Sequence, residues 1–152
     1  MAEIVSINVS SMRGTAKQPV TEARLLEEQG IEHDAHAGDG DRQLSLIACE
    51  SYERFKEENL EKICRKLGPD SLSFGAFAEN ITTSGIVLHT LPIGTRLRIR
   101  DAMLEVSKIG KECHAGCEIS KKVGSCIMPR EGIFARVLKG GIIRQGDPIE
   151  LL

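Results

Sequence analysis

The sequence predicts a mainly β domain of barrel type, and three observations lead to that fold class. Short segments of alternating apolar and polar residues recur at close spacing along the chain. One long segment, Glu50 to Leu67, has apolar residues at helical spacing and is closed by Gly68-Pro69. No strand is followed by the glycine-rich turn and helix that a βαβ nucleotide-binding fold requires. We therefore expect a barrel of short strands with a few helices, one of them long and near residues 50–67.

The N-terminal strands are assigned from alternation. Glu3 to Val9 has apolar residues at 5, 7 and 9 and predicts a half-buried strand. Val20 to Leu26 is predicted to be extended, with a helix beginning at Leu25 as the alternative. Gly30 to Asp41 is rich in Gly, Asp and His and predicts a structured loop. Gln43 to Ala48 alternates like a strand.

The C-terminal half contains a predicted hairpin. Thr95 to Arg100 and Met103 to Ile109 both alternate, and Asp101-Ala102 is the two-residue connection between them. Short strands or turns are expected from Ile81 to Leu88, and a short helix near Glu118 to Lys122. The remaining extended segments are Gly132 to Leu138, Ile142-Ile143 and Pro148 to Leu152.

Length and composition indicate one soluble globular domain over residues 1–152. The chain is 41% hydrophobic and 28% charged, close to average values for such proteins. It has no apolar stretch long enough to cross a bilayer and no signal-peptide pattern, so we expect a cytoplasmic protein without a membrane partner. Residues 86–152 carry 11 basic and 7 acidic side chains, which suits a small anionic ligand and is too weak for nucleic acid.

The cysteines are the first candidates for chemistry. Cys113, Cys117 and Cys126 lie in a stretch rich in lysine, arginine and glycine, where nearby cations would favour the thiolate. Cys113 follows a predicted strand end and is the best candidate nucleophile, with Lys111 helping to keep it ionised. Because cytosolic thiols stay reduced, five cysteines predict reactive, metal-binding or buried residues, not a disulfide scaffold.

Two other interpretations of these cysteines stay open. Cys113, His114, Cys117 and Cys126 would supply a Cys3His zinc site, although the C-x3-C spacing disfavours zinc. Alternatively, the thiols are small buried apolar groups, an interpretation that applies most strongly to Cys49 and Cys64 in the helical region.

Polar residues outside the cysteine cluster are candidates for ligand contact. Arg42 and Gln43, at the start of a predicted strand, would hold an oxyanion, and Lys17 is a similar anion contact. Glu79-Asn80 would orient a ligand or cap a turn.

A loop rich in Asp and His forms a second polar cluster. It would bind a divalent metal or act in acid/base chemistry, with solvated turn residues as the alternative. Its members are His33, Asp34, His36, Asp39 and Asp41.

Several dispersed motifs occur in an order that resembles the MOSC domain, found at the C-terminus of molybdenum cofactor sulfurases. They are Gly14-x-x-Lys17-x-Pro19-Val20, Asp34-x-His36-x-Gly38 to Arg42-Gln43, Phe77-x-Glu79-Asn80, Leu91-Pro92-Ile93-Gly94, Gly110-x-x-Cys113, and Gly132-x-Phe134-x-Arg136-Val137 to Gly146-Asp147. The resemblance implies a MOSC-type β-barrel with one distinguishing cysteine, which maps onto Cys113.

The resemblance also implies a function. Such domains are thought to carry sulfur as a persulfide, or to hold a molybdopterin-type cofactor with the cysteine facing molybdenum, which makes Cys113 a candidate molybdenum ligand. The residues that would line the pocket are Lys17, His36, Arg42, Gln43, Glu79 and Asn80.

The chain differs from the sulfurases in lacking their pyridoxal-phosphate portion and its Schiff-base lysine. We therefore expect no pyridoxal phosphate site, and sulfur would come from a donor protein or pass to a molybdoenzyme partner. A sulfurtransferase-type activity in molybdenum cofactor biosynthesis is the first hypothesis. The alternative is a non-catalytic module that delivers cofactor and whose cysteines are structural.

Overall fold

The computed structural model describes residues 2–11, 17–35, 37–38, 40, 43–59, 61, 74, 79–110 and 131–152. The strands are β1 Glu3–Val9, β2 Gln18–Val20, β3 Glu22–Leu26, β4 Gly30–Ile31, β5 Leu44–Ala48, β6 Ile81–Ser84, β7 Arg96–Ile99, β8 Ala102–Ile109, β9 Ile133–Lys139, β10 Gly141–Arg144 and β11 Glu150–Leu151. The helix α1 spans Cys49–Glu58, and a 3-10 turn covers Leu88–Thr90. The prediction of a mainly β fold is confirmed.

Most strands belong to one curled sheet. Its eight strands lie in the order β11-β7-β8-β9-β5-β6-β1-β2, and β10-β3-β4 form a second, smaller sheet. The pair β5 and β6 is parallel, with α1 in the connection between them, whereas the neighbouring pairs are antiparallel.

Backbone hydrogen bonds join the two ends of the large sheet. Glu3 bridges Pro148, the Ile4 amide donates to the Asp147 carbonyl at 2.9 Å, and the Ile149 amide donates to the Ala2 carbonyl at 2.9 Å. The segment before β11 therefore meets β1, and the sheet curls back on itself as a barrel does. Its interior is a continuous aliphatic core to which nearly every strand contributes.

Strand β5 is buried on both faces, not on one as its alternation suggests. Leu44, Leu46 and Ala48 belong to the barrel core, while Ser45 and Ile47 face the other side and are also buried. The helix α1 packs against β5 and β6 and covers that outer face. Burial on both faces is what parallel pairing with a helical crossover produces.

Strand β1 is confirmed with the predicted bounds, although a bulge interrupts its alternation. Its pairing with β6 shifts register between Ile4 and Ser6, and Ile4 and Ile7 both lie in the core. Val5 is only half-buried and Val9 packs at the edge of the core. A bulge that inserts one residue reverses the alternation, so a strict 5, 7, 9 pattern fails.

The described helix is shorter than the predicted segment. It begins at Cys49, has Tyr52 and Phe55 buried as the helical spacing indicates, and ends at Glu58 with Asn59 as the C-cap. Residues 60 and 62–67 of the predicted helix lie outside the described residues. The predicted short helix near 118–122 lies outside them as well.

The predicted hairpin is confirmed with a shifted turn. Ile99 pairs with Ala102, so Arg100 and Asp101 make the connection in place of Asp101-Ala102. Arg100 takes a φ of 57°, the left-handed region that tight two-residue turns require. The prediction that Val20 to Leu26 is extended is also confirmed, since β2 and β3 cover most of that segment.

Within the described ranges, no helix combines the length and the apolar character needed to span a bilayer.

Candidate functional site

Half of the residues that the sequence singled out as site residues are described by the structure. Lys17, Gln43, Glu79 and Asn80 are all buried. The others, His36, Arg42, Lys111 and Cys113, lie outside the described residues, as do His114, Cys117 and Cys126. Their predicted roles stay predictions.

A set of buried polar side chains lies on the outer face of β1, β5 and β6 and beneath α1; we call it the polar layer. Buried polar groups require hydrogen-bond partners, and the members of this layer bond to one another. They are Ser6, Asn8, Ser45, Tyr52, Glu79, Asn80 and Thr82.

Glu79 is the acidic centre of the polar layer. It directly precedes β6 and its side chain is fully buried, with 0% relative exposure. Its Oε2 atom accepts a hydrogen bond of 2.6 Å from the Tyr52 hydroxyl and one of 3.0 Å from Thr82 Oγ1. Two hydroxyl donors, one from α1 and one from β6, thus hold one carboxyl oxygen.

The hydrogen bonds on the β1 side lead in one direction, towards Glu79. Ser6 Oγ donates to Asn8 Oδ1 at 2.7 Å, and Asn8 Nδ2 donates to Thr82 Oγ1 at 3.3 Å. Because Thr82 accepts from Asn8, its own proton is available for Glu79. Glu79 is therefore the acceptor at the end of an ordered chain of donors.

Asn80 ties three parts of the sheet together. Its backbone N–H donates to the Ser45 carbonyl at 2.9 Å, and its side-chain Oδ1 accepts from the Ser45 backbone N–H at 3.0 Å. Its Nδ2 donates to the Asn8 carbonyl at 3.2 Å, and its own carbonyl accepts from the Asn8 amide at 2.6 Å. These bonds fix the backbone from which the Glu79 side chain extends.

Lys17 forms a buried ion pair. Its Nζ atom lies 2.8 Å from Asp34 Oδ1, and neither side chain has any solvent exposure. The Ser10 hydroxyl accepts from Nζ at 3.1 Å, and the Ser10 amide donates to Asp34 Oδ1 at 3.1 Å. The sequence predicted an anion contact for Lys17, and in the structure its ammonium group faces an internal carboxylate. Loss of one partner of such a pair typically destabilises a protein by about 3–5 kcal/mol.

Gln43 also turns its side chain towards the protein. Gln43 directly precedes β5, and its Oε1 atom accepts a hydrogen bond of 3.0 Å from the Val137 backbone amide. A Cβ atom at Gly30 would lie 2.5 Å from the Gln43 carbonyl oxygen, so the close approach of these two segments requires glycine at position 30. Nearby, the hydrogen bond from Arg136 to Glu28 lowers the pKa of that exposed carboxyl group.

Glu131 is a site-adjacent residue that the sequence reasoning missed. It directly precedes Gly132, whose carbonyl accepts from the Gly110 amide at 2.7 Å. Burial acts to raise its pKa, but hydrogen bonds from Ser51 at 2.8 Å and from Arg54 outweigh burial, and the pKa is lowered. Glu131 thus fastens α1 to the residues just before β9.

Cys49 is the one cysteine within the described part of the chain. Burial raises the pKa of its thiol to about 11, and the neighbouring carboxylates of Glu50 and Glu53 add to that increase. The thiol is therefore protonated at neutral pH. Cys49 is only partly buried and its thiol donates to Glu50 Oε1 at 3.3 Å, so it is not the buried apolar group that the sequence predicted.

The described side chains of the Asp- and His-rich loop point in different directions and do not form a common site. Asp34 points to Lys17, whereas the His33 side chain is 88% exposed and faces Glu32. Among the described residues, no three side chains of His, Cys, Asp or Glu come together as metal ligands. His36, Asp39 and Asp41 lie outside the described residues.

The comparison with known families identifies the class of protein. A sequence model of the MOSC domain matches residues 32–150 of this chain. The match covers well over half of the chain, and the protein belongs to the MOSC domain family.

Individual relatives share the fold. The uncharacterized protein YflK of Bacillus subtilis (strain 168) is 29% identical over 151 residues, which are 91% of this chain and 63% of YflK. The chain thus spans a little under two thirds of that relative's length. Among solved structures, YiiM from Geobacillus stearothermophilus superposes with a TM-score of 0.72 at 23% identity, covering 100% of this chain and 75% of YiiM.

A second solved structure matches this chain over almost its full length. The YUAD protein from Bacillus subtilis has a TM-score of 0.73 at 16% identity and covers 99% of this chain and 94% of its own. At this level of identity, the likeness shows the fold, and the MOSC-type barrel predicted from the sequence is confirmed.

Proposed function

We propose that this protein binds a molybdopterin-type cofactor and carries sulfur on Cys113 as a persulfide, in the biosynthesis or sulfuration of the molybdenum cofactor. The observation that carries the proposal is the MOSC family match over residues 32–150, which includes Cys113 and the Glu79-Asn80 pair. The family is related to the C-terminal domains of molybdenum cofactor sulfurases.

The described residues suit the cofactor as a rigid support. Glu79, Asn80, Lys17 and Gln43 are buried and held by internal hydrogen bonds, so their part is to support neighbouring residues. The direct contacts to an anionic cofactor then fall to His36, Arg42 and Lys111, and Cys113 is the candidate ligand to molybdenum. When bound, the cofactor supplies a molybdenum centre that accepts sulfur.

The sulfur step needs one ionised thiol. The Cys113 thiolate attacks the outer sulfur of a persulfide on a donor protein, and a new S–S bond forms on Cys113. The S–S bond of the donor breaks, and the donor leaves as a thiolate. No external oxidant or reductant is consumed, because sulfur moves together with its formal oxidation state.

The test is sulfur loading of matched cysteine variants. Wild type, Cys113→Ser and Cys49→Ser are incubated with a persulfide-bearing cysteine desulfurase, and intact masses are measured without reductant. We expect wild type and Cys49→Ser to gain the mass of one sulfur atom and Cys113→Ser to lose at least nine tenths of that signal, because Cys49 has a pKa of about 11 and stays protonated. Equal loading of all three proteins would contradict the assignment of Cys113.

A second candidate function is a non-catalytic module that delivers cofactor to a partner enzyme. The observation in its favour is that the described candidates Glu79, Asn80, Lys17 and Gln43 all bond to other protein groups. This alternative predicts that Cys113→Ser retains molybdopterin and a molybdoenzyme partner as wild type does. In a delivery module the cysteines would be structural, and zinc found in protein purified without chelator would then support a Cys3His site.

A further inference from the structure

Tyr52 is the only tyrosine in the chain, and helical spacing alone assigns it to the apolar face of α1. In the structure its side chain is indeed buried, with 2% exposure, but its hydroxyl points at the acidic centre of the polar layer. It donates to Glu79 Oε2 at 2.6 Å, among the shortest side-chain hydrogen bonds of the buried region. Tyr52 is therefore more than packing, because its polar end determines where a buried carboxyl group lies.

The aromatic ring of Tyr52 is held on more than one side. Phe55, one turn further along α1, is buried beside it, and the ring of Phe74 meets it edge-on at a centroid distance of 5.3 Å and an angle of 90°. Edge-to-face contacts of this kind fix the orientation of a ring. The Tyr52 ring is therefore held by packing as well as by the hydrogen bond of its hydroxyl to Glu79.

The same carboxyl oxygen is held from the sheet. Thr82 Oγ1 donates to Glu79 Oε2 at 3.0 Å and is itself oriented by Asn8. With one donor on the helix and one on β6, the carboxyl group of Glu79 is confined to a single orientation. Removal of either hydroxyl would let it rotate without changing the fold of either element.

We propose that Tyr52 is a positioning residue: its hydroxyl holds the Glu79 carboxyl group in the orientation in which the site retains its cofactor. The inference rests on the proposed function, in which the buried Glu79 belongs to the support of the molybdopterin site. Tyr52 acts only through Glu79 and does not itself contact the cofactor. Its contribution must therefore disappear when Glu79 is replaced.

The test is a double-mutant cycle with wild type, Tyr52→Phe, Glu79→Gln and the double variant. The probe is molybdopterin freshly released from a denatured molybdenum enzyme, and its dissociation constant is measured by equilibrium dialysis. We expect Tyr52→Phe to weaken binding about tenfold, the effect of one hydrogen bond. The double variant should bind no more weakly than Glu79→Gln alone, because coupled residues are not additive.

Two further variants separate positioning from stability. Ile99→Val shortens a core side chain on β7, a strand that does not pair with β1, β5 or β6, and it should lower the melting temperature while leaving the dissociation constant unchanged. Thr82→Val removes the second donor and should weaken binding about as much as Tyr52→Phe, again only when Glu79 is present. It provides an independent measurement if Tyr52→Phe does not fold.

The outcomes separate the two proposals. If wild type binds and Tyr52→Phe binds equally well, or if the losses add in the double variant, Tyr52 has only a structural role and this inference is wrong while the proposed function stands. If wild type itself does not bind molybdopterin, the proposed function fails and the inference fails with it.

Discussion

At the scale of single residues, the sequence identified several important positions without revealing their partners. Glu79, Asn80, Lys17 and Gln43 were selected as ligand contacts, and the structure gives each of them a partner inside the protein. Several of these partners lie far away along the chain, such as Ser45 for Asn80 and Tyr52 for Glu79, although Thr82 is only three residues from Glu79. No local pattern encodes such a pair, because it exists only once the strands and the helix have packed together.

The neighbouring residues Thr82 and Thr83 provide a stability test of the polar layer. Thr83 faces the aliphatic core opposite Ile4, and its buried Oγ1 has no hydrogen-bond partner in the described part of the chain. Thr82 faces the other way and bonds to Glu79 and Asn8. Thr83→Val should therefore raise the free energy of unfolding by about 1 kcal/mol, whereas Thr82→Val should lower it by about 1–3 kcal/mol.

Urea denaturation of the two single variants measures both effects under the same conditions. A stability loss of equal size for both variants would mean that the two hydroxyls have equivalent surroundings, which contradicts the division between core and polar layer.

At the scale of elements, alternation located the strands, and pairing decided which face each one presents. The bulge in β1 and the one-residue shift of the hairpin turn both depend on how a strand meets its neighbour. A register shift of one residue moves every side chain to the opposite face, so local alternation cannot detect it. Strand β5 shows the same limit of local patterns. Its outer face is buried because α1 packs over it, and the alternation of β5 does not reveal that contact.

The contact between α1 and Glu131 predicts a pH dependence at this scale. The folded protein lowers the pKa of Glu131 below its ordinary value of 4.5, so the stabilisation is present above that value and is lost as the pH falls through the folded pKa. Glu131→Gln should lower the free energy of unfolding by about 1 kcal/mol at neutral pH, because Arg54 is half-exposed and solvent weakens the pair.

Urea unfolding from neutral to acid pH checks this expectation. The difference between wild type and Glu131→Gln should shrink towards zero once the pH is well below 4.5. Glu28→Gln is the control, because Glu28 and Arg136 are both substantially exposed and their loss should change stability little. A difference for Glu131→Gln that stays constant across the pH range would contradict the ionised state assigned to Glu131.

At the scale of the whole molecule, the barrel depends on the seam between β1 and the segment before β11. Asp147 lies at that seam: its carbonyl accepts from the Ile4 amide, its Oδ2 accepts from the Arg144 amide at 2.8 Å, and its Oδ1 accepts from Arg100 at 2.9 Å. Its side chain is nearly buried, at 5% exposure. The Asp147 side chain thus joins β10 to the β7–β8 turn, while the backbone carbonyl of the same residue bonds to β1.

Asp147→Ala should therefore lower the free energy of unfolding by about 1–2 kcal/mol, because it removes the side-chain hydrogen bonds from the Arg144 amide and from Arg100, which is itself 62% exposed. Glu150→Ala is the matched control three residues away, where Glu150 pairs with Arg98 and both are about half-exposed; its loss should change stability by less than about 1 kcal/mol. Chemical denaturation measures the free energy of unfolding of both variants. Equal decreases in the two would show that Asp147 has no special role at the seam.

The sequence by itself determined the fold class, the positions of most strands, the helix around Tyr52 and Phe55, and the family to which the chain belongs. These properties follow from local periodicity and from motifs whose spacing is visible along the chain. Only the tertiary structure decided the parallel pairing of β5 and β6, the closure of the barrel, and the polar layer in which Glu79 accepts from Tyr52 and Thr82. The physical reason is that burial and hydrogen bonding are satisfied between segments distant in sequence, so the role of a polar residue is set by what packs over it.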